Sequence, residues 1–338
     1  MAEARGQPGT PAATDAQAAP AGSAALPWRD TITAAAERIA GRVRVTPCLD
    51  LTLDGHALTL KLECLQVSGT FKARGAFNRL LSATVPAAGV AAASGGNHGI
   101  AVALAAAELG LPAHVFVPET TPAAKQARLR ALGAQVRLAG QDYAGALAAC
   151  TAFREASGAL ESHAYDHPAT LAGQGTLARE WQQQCPGLDT VLVAVGGGGL
   201  IGGMLAWYQG SVRVVAVESE GCPTLHRALA AGAPVAVPVS GVAADSLGAR
   251  QVGALMFPLA QRHLAASVLV TDAAIVQAQR ALWAAARVAA EPGGATALAA
   301  LLSGAYRPAP GERVGVLVCG ANVDPATLVA PLAPEAGR

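Results

Sequence analysis

The 338-residue chain is poor in aromatic residues (4%) and in charged ones (14%), and its formal net charge is only +1. So small an excess gives no electrostatic case for nucleic acid or an anionic membrane surface as a partner. No apolar run reaches the roughly 18 residues a membrane span needs. The six cysteines (Cys48, Cys64, Cys150, Cys185, Cys222 and Cys319) are scattered, with no C-x-x-C pair and no metal-ligand spacing. Free thiols in a reducing cytosol are therefore expected. Residues 1–26 are rich in Ala, Pro, Gly and Thr and lack the basic start and apolar core of a signal peptide. They read as a disordered tail.

What the chain has in quantity is alanine, glycine and a regular alternation of elements. Periodicity predicts helices over 30–41, 100–109, 123–132, 143–157, 170–184, 200–207, 273–290 and 294–302, and a Ser/Thr-capped turn running into a helix over 66–81,. Strands are predicted over 58–62, 89–93, 113–117, 134–138, 191–195, 212–217, 267–270 and 313–318,. Strict β/α alternation implies parallel sheets with helices on both faces, and a chain of this length can hold two lobes. Sites in such folds gather beyond the carboxyl ends of strands.

Four polar, glycine-containing segments fall at such places. In Ser68-Gly-Thr-Phe-Lys-Ala-Arg-Gly-Ala76, Lys72 lies near a helix N-terminus, where the helix dipole opposes positive charge,. That field, with some burial, would lower the amine's pKa and make it a better nucleophile; a solvated surface lysine is the ordinary alternative. Ser94-Gly-Gly-Asn-His98 forms a second strand–turn–helix junction whose N–H groups suit a carboxylate,. His98 is a tempting base there, but a lone histidine beside a glycine turn is more often structural. The third segment, Gly196-Gly-Gly-Gly-Leu200, follows a buried apolar strand and opens a helix, which makes an anion site,. The fourth is Cys319-Gly-Ala-Asn322.

The third segment is ambiguous about whose phosphate it holds. Gly197, Gly199 and Gly202 satisfy G-x-G-x-x-G, and Glu218 ends the next strand, as in a dinucleotide fingerprint,. That fingerprint usually lies in the first βα turn, and it leaves Lys72, Asn97 and Cys319 without a role.

As a set, in order and spacing over about residues 28–330, the four segments resemble the hallmarks of the fold-type II pyridoxal-phosphate enzymes. The serine/threonine dehydratase (threonine ammonia-lyase) branch is the nearest in pattern. The resemblance implies two open α/β domains of the tryptophan synthase β type: a large one from 27–87 and 166–330 and a small one from 88–165. It implies that Lys72 carries pyridoxal 5'-phosphate as a Schiff base and serves as the base for Cα–H. Phe71 and Asn97 would line the cofactor, Asn97 at its ring hydroxyl. Gly196, Gly197, Gly198, Gly199 and Leu200 would hold its phosphate, and Cys319 would face its ring nitrogen. Ser94, Gly95, Gly96, Asn97 and His98 would bind the substrate amino acid. A cytoplasmic homodimer is implied, with no nucleic-acid or membrane partner.

Departures from the family pattern narrow the activity. Racemases carry a serine, the opposite-face acid/base, where this chain has Gly95. An acid that completes a divalent-cation site in some members is replaced by Thr224, six residues after Glu218, so no metal is expected. Asp245-Ser246 stands where relatives have Asp-Gly, and no acid follows Lys72 as in cysteine synthases, since Ala73 is there. The expectation is β-elimination from L-threonine or L-serine to a 2-oxo acid and ammonia. The alternatives are a racemase, a lyase for a larger β-hydroxy amino acid, or, in another class, a nicotinamide-dependent oxidoreductase.

Overall fold

The computed structural model describes residues 26–324. The expected tail lies outside them but for Leu26, as does the end of the expected large domain beyond 324. In chain order, α1 (Trp28–Ile39) precedes β1 (Cys48–Leu53), β2 (His56–Lys61) and α2 (Lys72–Leu81). An alternating run follows: β3 (Val90–Ala93), α3 (Asn97–Glu108), β4 (Ala113–Val117), α4 (Ala123–Ala131), β5 (Gln135–Leu138), α5 (Tyr143–Ser157) and β6 (Leu160–Glu161). Next come α6 (Pro168–Gln184), β7 (Thr190–Ala194), α7 (Gly199–Tyr208), β8 (Arg213–Ser219), α8 (Thr224–Ala231), α9 (Ala244–Leu247) and α10 (Phe257–His263). The last elements are β9 (Leu264–Val270), α11 (Asp272–Ala286), α12 (Pro292–Leu302) and β10 (Val314–Leu317).

The strands form two sheets. A six-stranded sheet has the order β1-β2-β10-β7-β8-β9, and a four-stranded one has the order β5-β4-β3-β6. All neighbours are parallel except β1 and β2. Central strands β7 and β10 are buried along their whole length, as expected of parallel strands covered on both faces,. Helix α12 is buried almost all round, and its glycines and alanines let it sit close against the sheet.

The structure adds elements that the periodicity did not predict. Strand β1 pairs with β2 through the turn at Asp54 and Gly55, both at positive φ, a hairpin signal present in the sequence,. Helices α8, α9 and α10 and the short β6 are also additional. Helix α11 stops at Ala286 rather than 290, because Arg287 adopts a left-handed conformation (φ 55°).

Helix α2 lies between the two sheets, and this fixes Lys72. Ala73, Ala76, Phe77 and Leu80 join the core of the smaller sheet with Val90, Ala92 and Ile100. The other side meets α6 so closely that a Cβ on Gly173 would lie 2.7 Å from the Gly75 Cα. A buried ion network clamps the same side. Arg74 pairs with Glu63 (Nε–Oε1 2.6 Å) and Glu180 (2.9 Å), and Lys61 pairs with Glu180 (2.5 Å).

Candidate active site

The four glycine-containing segments converge at the carboxyl ends of β2, β3, β7 and β10. Lys72 is the first residue of α2, preceded by a loop stitched to the segment after β10. Thr70 bridges Gly320, and the Phe71 N–H donates to the Cys319 carbonyl (3.2 Å). Gly69 (φ 77°) is required there, because a Cβ would lie 2.5 Å from the Asn322 Oδ1. The Lys72 Nζ donates to the Ala164 carbonyl (2.8 Å) and lies 5.1 Å from the centroid of the Phe71 ring. Burial pulls the amine down to about 8, against smaller opposing effects of Cys319 and Glu291. A neutral amine is thereby accessible near neutral pH.

The tetraglycine turn is built to present N–H groups. Its carbonyls are tied back: Gly196 O accepts from Thr224 Oγ1 (3.0 Å), Gly197 O from Gly253 N (3.0 Å) and Gly198 O from Gly202 N (2.8 Å). Among the described residues no hydrogen bond uses the N–H groups of Gly197, Gly198, Gly199 or Leu200, which sit at the positive end of α7. Side chains are excluded: a Cβ on Gly197 would lie 2.3 Å from the Tyr165 ring and one on Gly199 2.8 Å from the Tyr165 Cα. Gly198 (φ 89°) faces Met256. Free donors and a dipole end fit a phosphate without further machinery. The turn and the Lys72 amine are linked through one short segment, since Ala164 accepts from the amine and Tyr165 packs on the turn.

Asn97 opens α3 and is bonded at both ends of its amide. Its Nδ2 donates to Glu291 Oε1 (2.7 Å), and its Oδ1 accepts from Asn322 Nδ2 (2.6 Å). The Arg128 guanidinium donates in turn to Asn322 Oδ1 (2.6 Å). Burial pushes Glu291 up to about 7. Ser94 Oγ accepts weakly from Gly96 N (3.4 Å), and a Cβ on Gly95 would press on Val117 at 3.3 Å and Thr121 at 3.4 Å. The His98 ring is buried, with Nε2 2.6 Å from the Ser162 carbonyl, and burial lowers it to about 3. It is a neutral brace between α3 and the segment after β6. Cys319 is buried and donates to the Gly293 carbonyl (Sγ–O 3.4 Å), with burial holding the thiol protonated.

Sequence reasoning missed Glu291, Asn322 as a partner of Asn97, and the segment His163–Asp166. Glu291-Pro-Gly-Gly signals a helix start through its N1 proline, but only the fold sets Glu291 beside Asn97,. Glu218 has a different task from the one a dinucleotide would give it. It is fully buried and accepts from Leu225 N (2.8 Å), His226 N (2.7 Å) and Thr224 Oγ1 (3.2 Å) at the start of α8. A cavity of about 1120 Å³ opens at the other ends of the strands, beside His56 and Val314, away from Lys72.

A lysine amine, a glycine phosphate cradle and a neutral thiol in one cleft of two parallel sheets define a class, and the comparisons agree. Residues 39–320 match the family described as pyridoxal-phosphate dependent enzyme, and the chain belongs to it. A phenylserine dehydratase from Ralstonia pickettii is 40% identical, over 89% of this chain and 95% of the relative. An L-threonine ammonia-lyase from Geobacter sulfurreducens is 38% identical, over 81% of this chain and 69% of the relative. The structure of maize serine racemase superposes with a TM-score of 0.83 at 33% identity, covering 89% of this chain and 95% of that one. No helix among the described residues is long and apolar enough to cross a membrane.

Proposed function

We propose that the chain is a dehydratase of L-β-hydroxy-α-amino acids, of the L-threonine and L-serine type, releasing a 2-oxo acid and ammonia. The observation that carries this reading is the Lys72 amine. It is held by one backbone carbonyl and no carboxylate, between a glycine cradle and the turn 94–98. Pyridoxal phosphate, when bound, supplies the electron sink for chemistry at Cα.

The residues divide the remaining work. Lys72 anchors the cofactor and, once free as an amine, takes the Cα proton. The N–H groups of Gly197 to Leu200 hold the phosphate, with Gly196 fixing the entry to the turn. Phe71 and Asn97 would flank the cofactor, and Cys319 would meet its ring nitrogen with a neutral thiol, which would not hold that nitrogen protonated as an aspartate would. Ser94, Gly95, Gly96 and Asn97 take the substrate carboxylate, and His98 contributes its backbone N–H because its ring is committed to Ser162. The lobe of 88–165 closes on the lobe of 27–87 and 166–330, excluding water, in a homodimer.

Gly95 separates dehydration from racemisation. Racemisation requires a proton on the face opposite Lys72, and Gly95 has no side chain to deliver it. A positioned acid is worth about 10²–10⁴-fold in rate. Incubation of the holoenzyme with L-threonine and L-serine is expected to give 2-oxobutyrate and pyruvate with ammonia and little D-amino acid. D-serine accumulating as fast as pyruvate on chiral chromatography would replace the dehydratase reading with a racemase one.

A further inference from the structure

The side-chain subsite carries information that the reaction type does not. Rings are rare in this chain: five phenylalanines, four tryptophans and four tyrosines in 338 residues. Yet the segment bonded to the Lys72 amine carries two rings side by side. His163 and Tyr165 pack edge to face, with centroids 4.8 Å apart at 81°. Both are held rigidly. His163 Nδ1 accepts from Asp166 N (2.9 Å) and Tyr165 N (3.3 Å), and the Asp166 carboxylate accepts from Ala254 N and Leu255 N (both 2.9 Å). Tyr165 is backed by Gly197 and Gly199, whose missing side chains leave room for its ring. Its hydroxyl reaches solvent, and the ring is part-buried. Tyr143, the first residue of α5, is 53% exposed. Burial and the nearby Tyr143 phenol push Tyr165 up to about 12, so its ring stays neutral across the physiological range.

The direction of the substrate side chain follows from what surrounds the amine, taking the carboxylate and phosphate sites of the proposed function. The carboxylate is assigned to the turn 94–98, and the cofactor would lie by Phe71 and Cys319. One wall is the segment 243–247, whose Asp245 carbonyl faces Gly96 and whose Ser246 Oγ accepts from Gly293 N (3.1 Å); the wall beside the amine itself is His163–Tyr165, which runs from the Ala164 carbonyl to the phosphate cradle. A methyl or hydrogen at Cβ leaves these ring faces uncovered, whereas an aryl group covers them. Rigid, neutral aromatic walls favour a flat apolar partner by stacking and edge contacts.

We propose that His163 and Tyr165 form an aryl-binding subsite that makes 3-aryl-L-serines the preferred substrates over L-threonine and L-serine. The inference rests on the dehydratase reading only for where the substrate lies, so its test includes ligands that cannot eliminate. L-phenylalanine and L-2-aminobutyrate, which lack the β-hydroxyl, are titrated into the holoenzyme and followed by visible absorbance. L-phenylalanine is expected to bind about 10–100-fold more tightly, the range one apolar side-chain pocket provides. In Tyr165→Ala that ratio falls about tenfold, whereas Tyr165→Phe keeps it, because the ring and not the hydroxyl is the contact. An unchanged visible band and urea midpoint in Tyr165→Ala exclude a folding defect as the cause. With 3-phenylserine as substrate, the loss in Tyr165→Ala falls on KM more than on kcat. Equal affinity for the two ligands, or a ratio untouched by Tyr165→Ala, overturns the subsite. Elimination from L-threonine without aryl selectivity removes the subsite and leaves the dehydratase reading. Aryl selectivity without elimination from any β-hydroxy amino acid does the reverse.

Discussion

Lys61 and Lys72 show how two similarly placed side chains acquire opposite fates. Lys61 ends β2 and is fully buried, and each of its three ammonium donors has an acceptor: Thr46 O (2.7 Å), Glu180 Oε1 (2.5 Å) and Gln184 Oε1 (2.7 Å). Lys72 has one carbonyl and an aromatic face, and no carboxylate of the described residues lies within ion-pair range. The third lysine of the chain, Lys125, is partly exposed and paired with Asp245. Burial with full satisfaction makes a structural cation, and burial without it makes a poised amine.

The contrast can be broken at Lys72 first. Lys72→Ala is expected to abolish the visible absorbance of the holoenzyme and lower turnover by about 10²–10⁴-fold through loss of the base alone. An undiminished visible band would show that another group carries the cofactor. The next largest effect lies on the opposite axis. Lys61→Met, which fills a similar volume, leaves Arg74 as the only cation on Glu180 and leaves the Thr46 carbonyl to Gln184 Nε2 (3.0 Å). Breaking a buried pair in this way is expected to cost about 3–5 kcal/mol in urea unfolding, while the folded protein keeps its visible band. A variant as stable as the parent would make the network dispensable.

The smallest effect sharpens the contrast through pH. Folding lowers the Lys72 amine from 10.5 to about 8, so between those values the unfolded chain binds more protons than the folded one. This group therefore makes the cofactor-free protein more stable as pH rises through that window, and below about 8 its desolvation penalty is fully present. The difference in unfolding free energy between the parent and Lys72→Met is expected to change with pH over that range. A flat difference would mean that the amine is not desolvated.

Why one lysine stood out in the sequence and the other did not is physical. Lys72 is marked by flanking glycines and a helix start, both local signals, whereas Lys61 sits in an alternating strand like any outward-facing residue. Its partner Glu180 comes from α6, far away in the chain. The same division runs through the fold. Buried parallel strands such as β7 declare themselves by apolar runs, whereas the half-buried β1 signals itself only by the short alternation Leu49-Asp-Leu-Thr-Leu53 and the Asp54-Gly55 turn after it. The segment around Tyr165 has no glycine signature of its own; its place follows from the turn it packs on. Glu291 likewise gains meaning only when Asn97, from another sheet, arrives beside it.

The ties between α3 or α4 and the large sheet's loops lie at different depths. At the mouth, Lys125 meets Asp245 and Arg128 meets Asn322, both in contact with solvent, while Asn97 meets Glu291 further in. At about 0.15 M ionic strength the Debye length is roughly 8 Å, so the outer ion pair weakens as salt rises while the inner, shielded bond hardly changes. Ionic strength thus acts on the cleft from its lip inward.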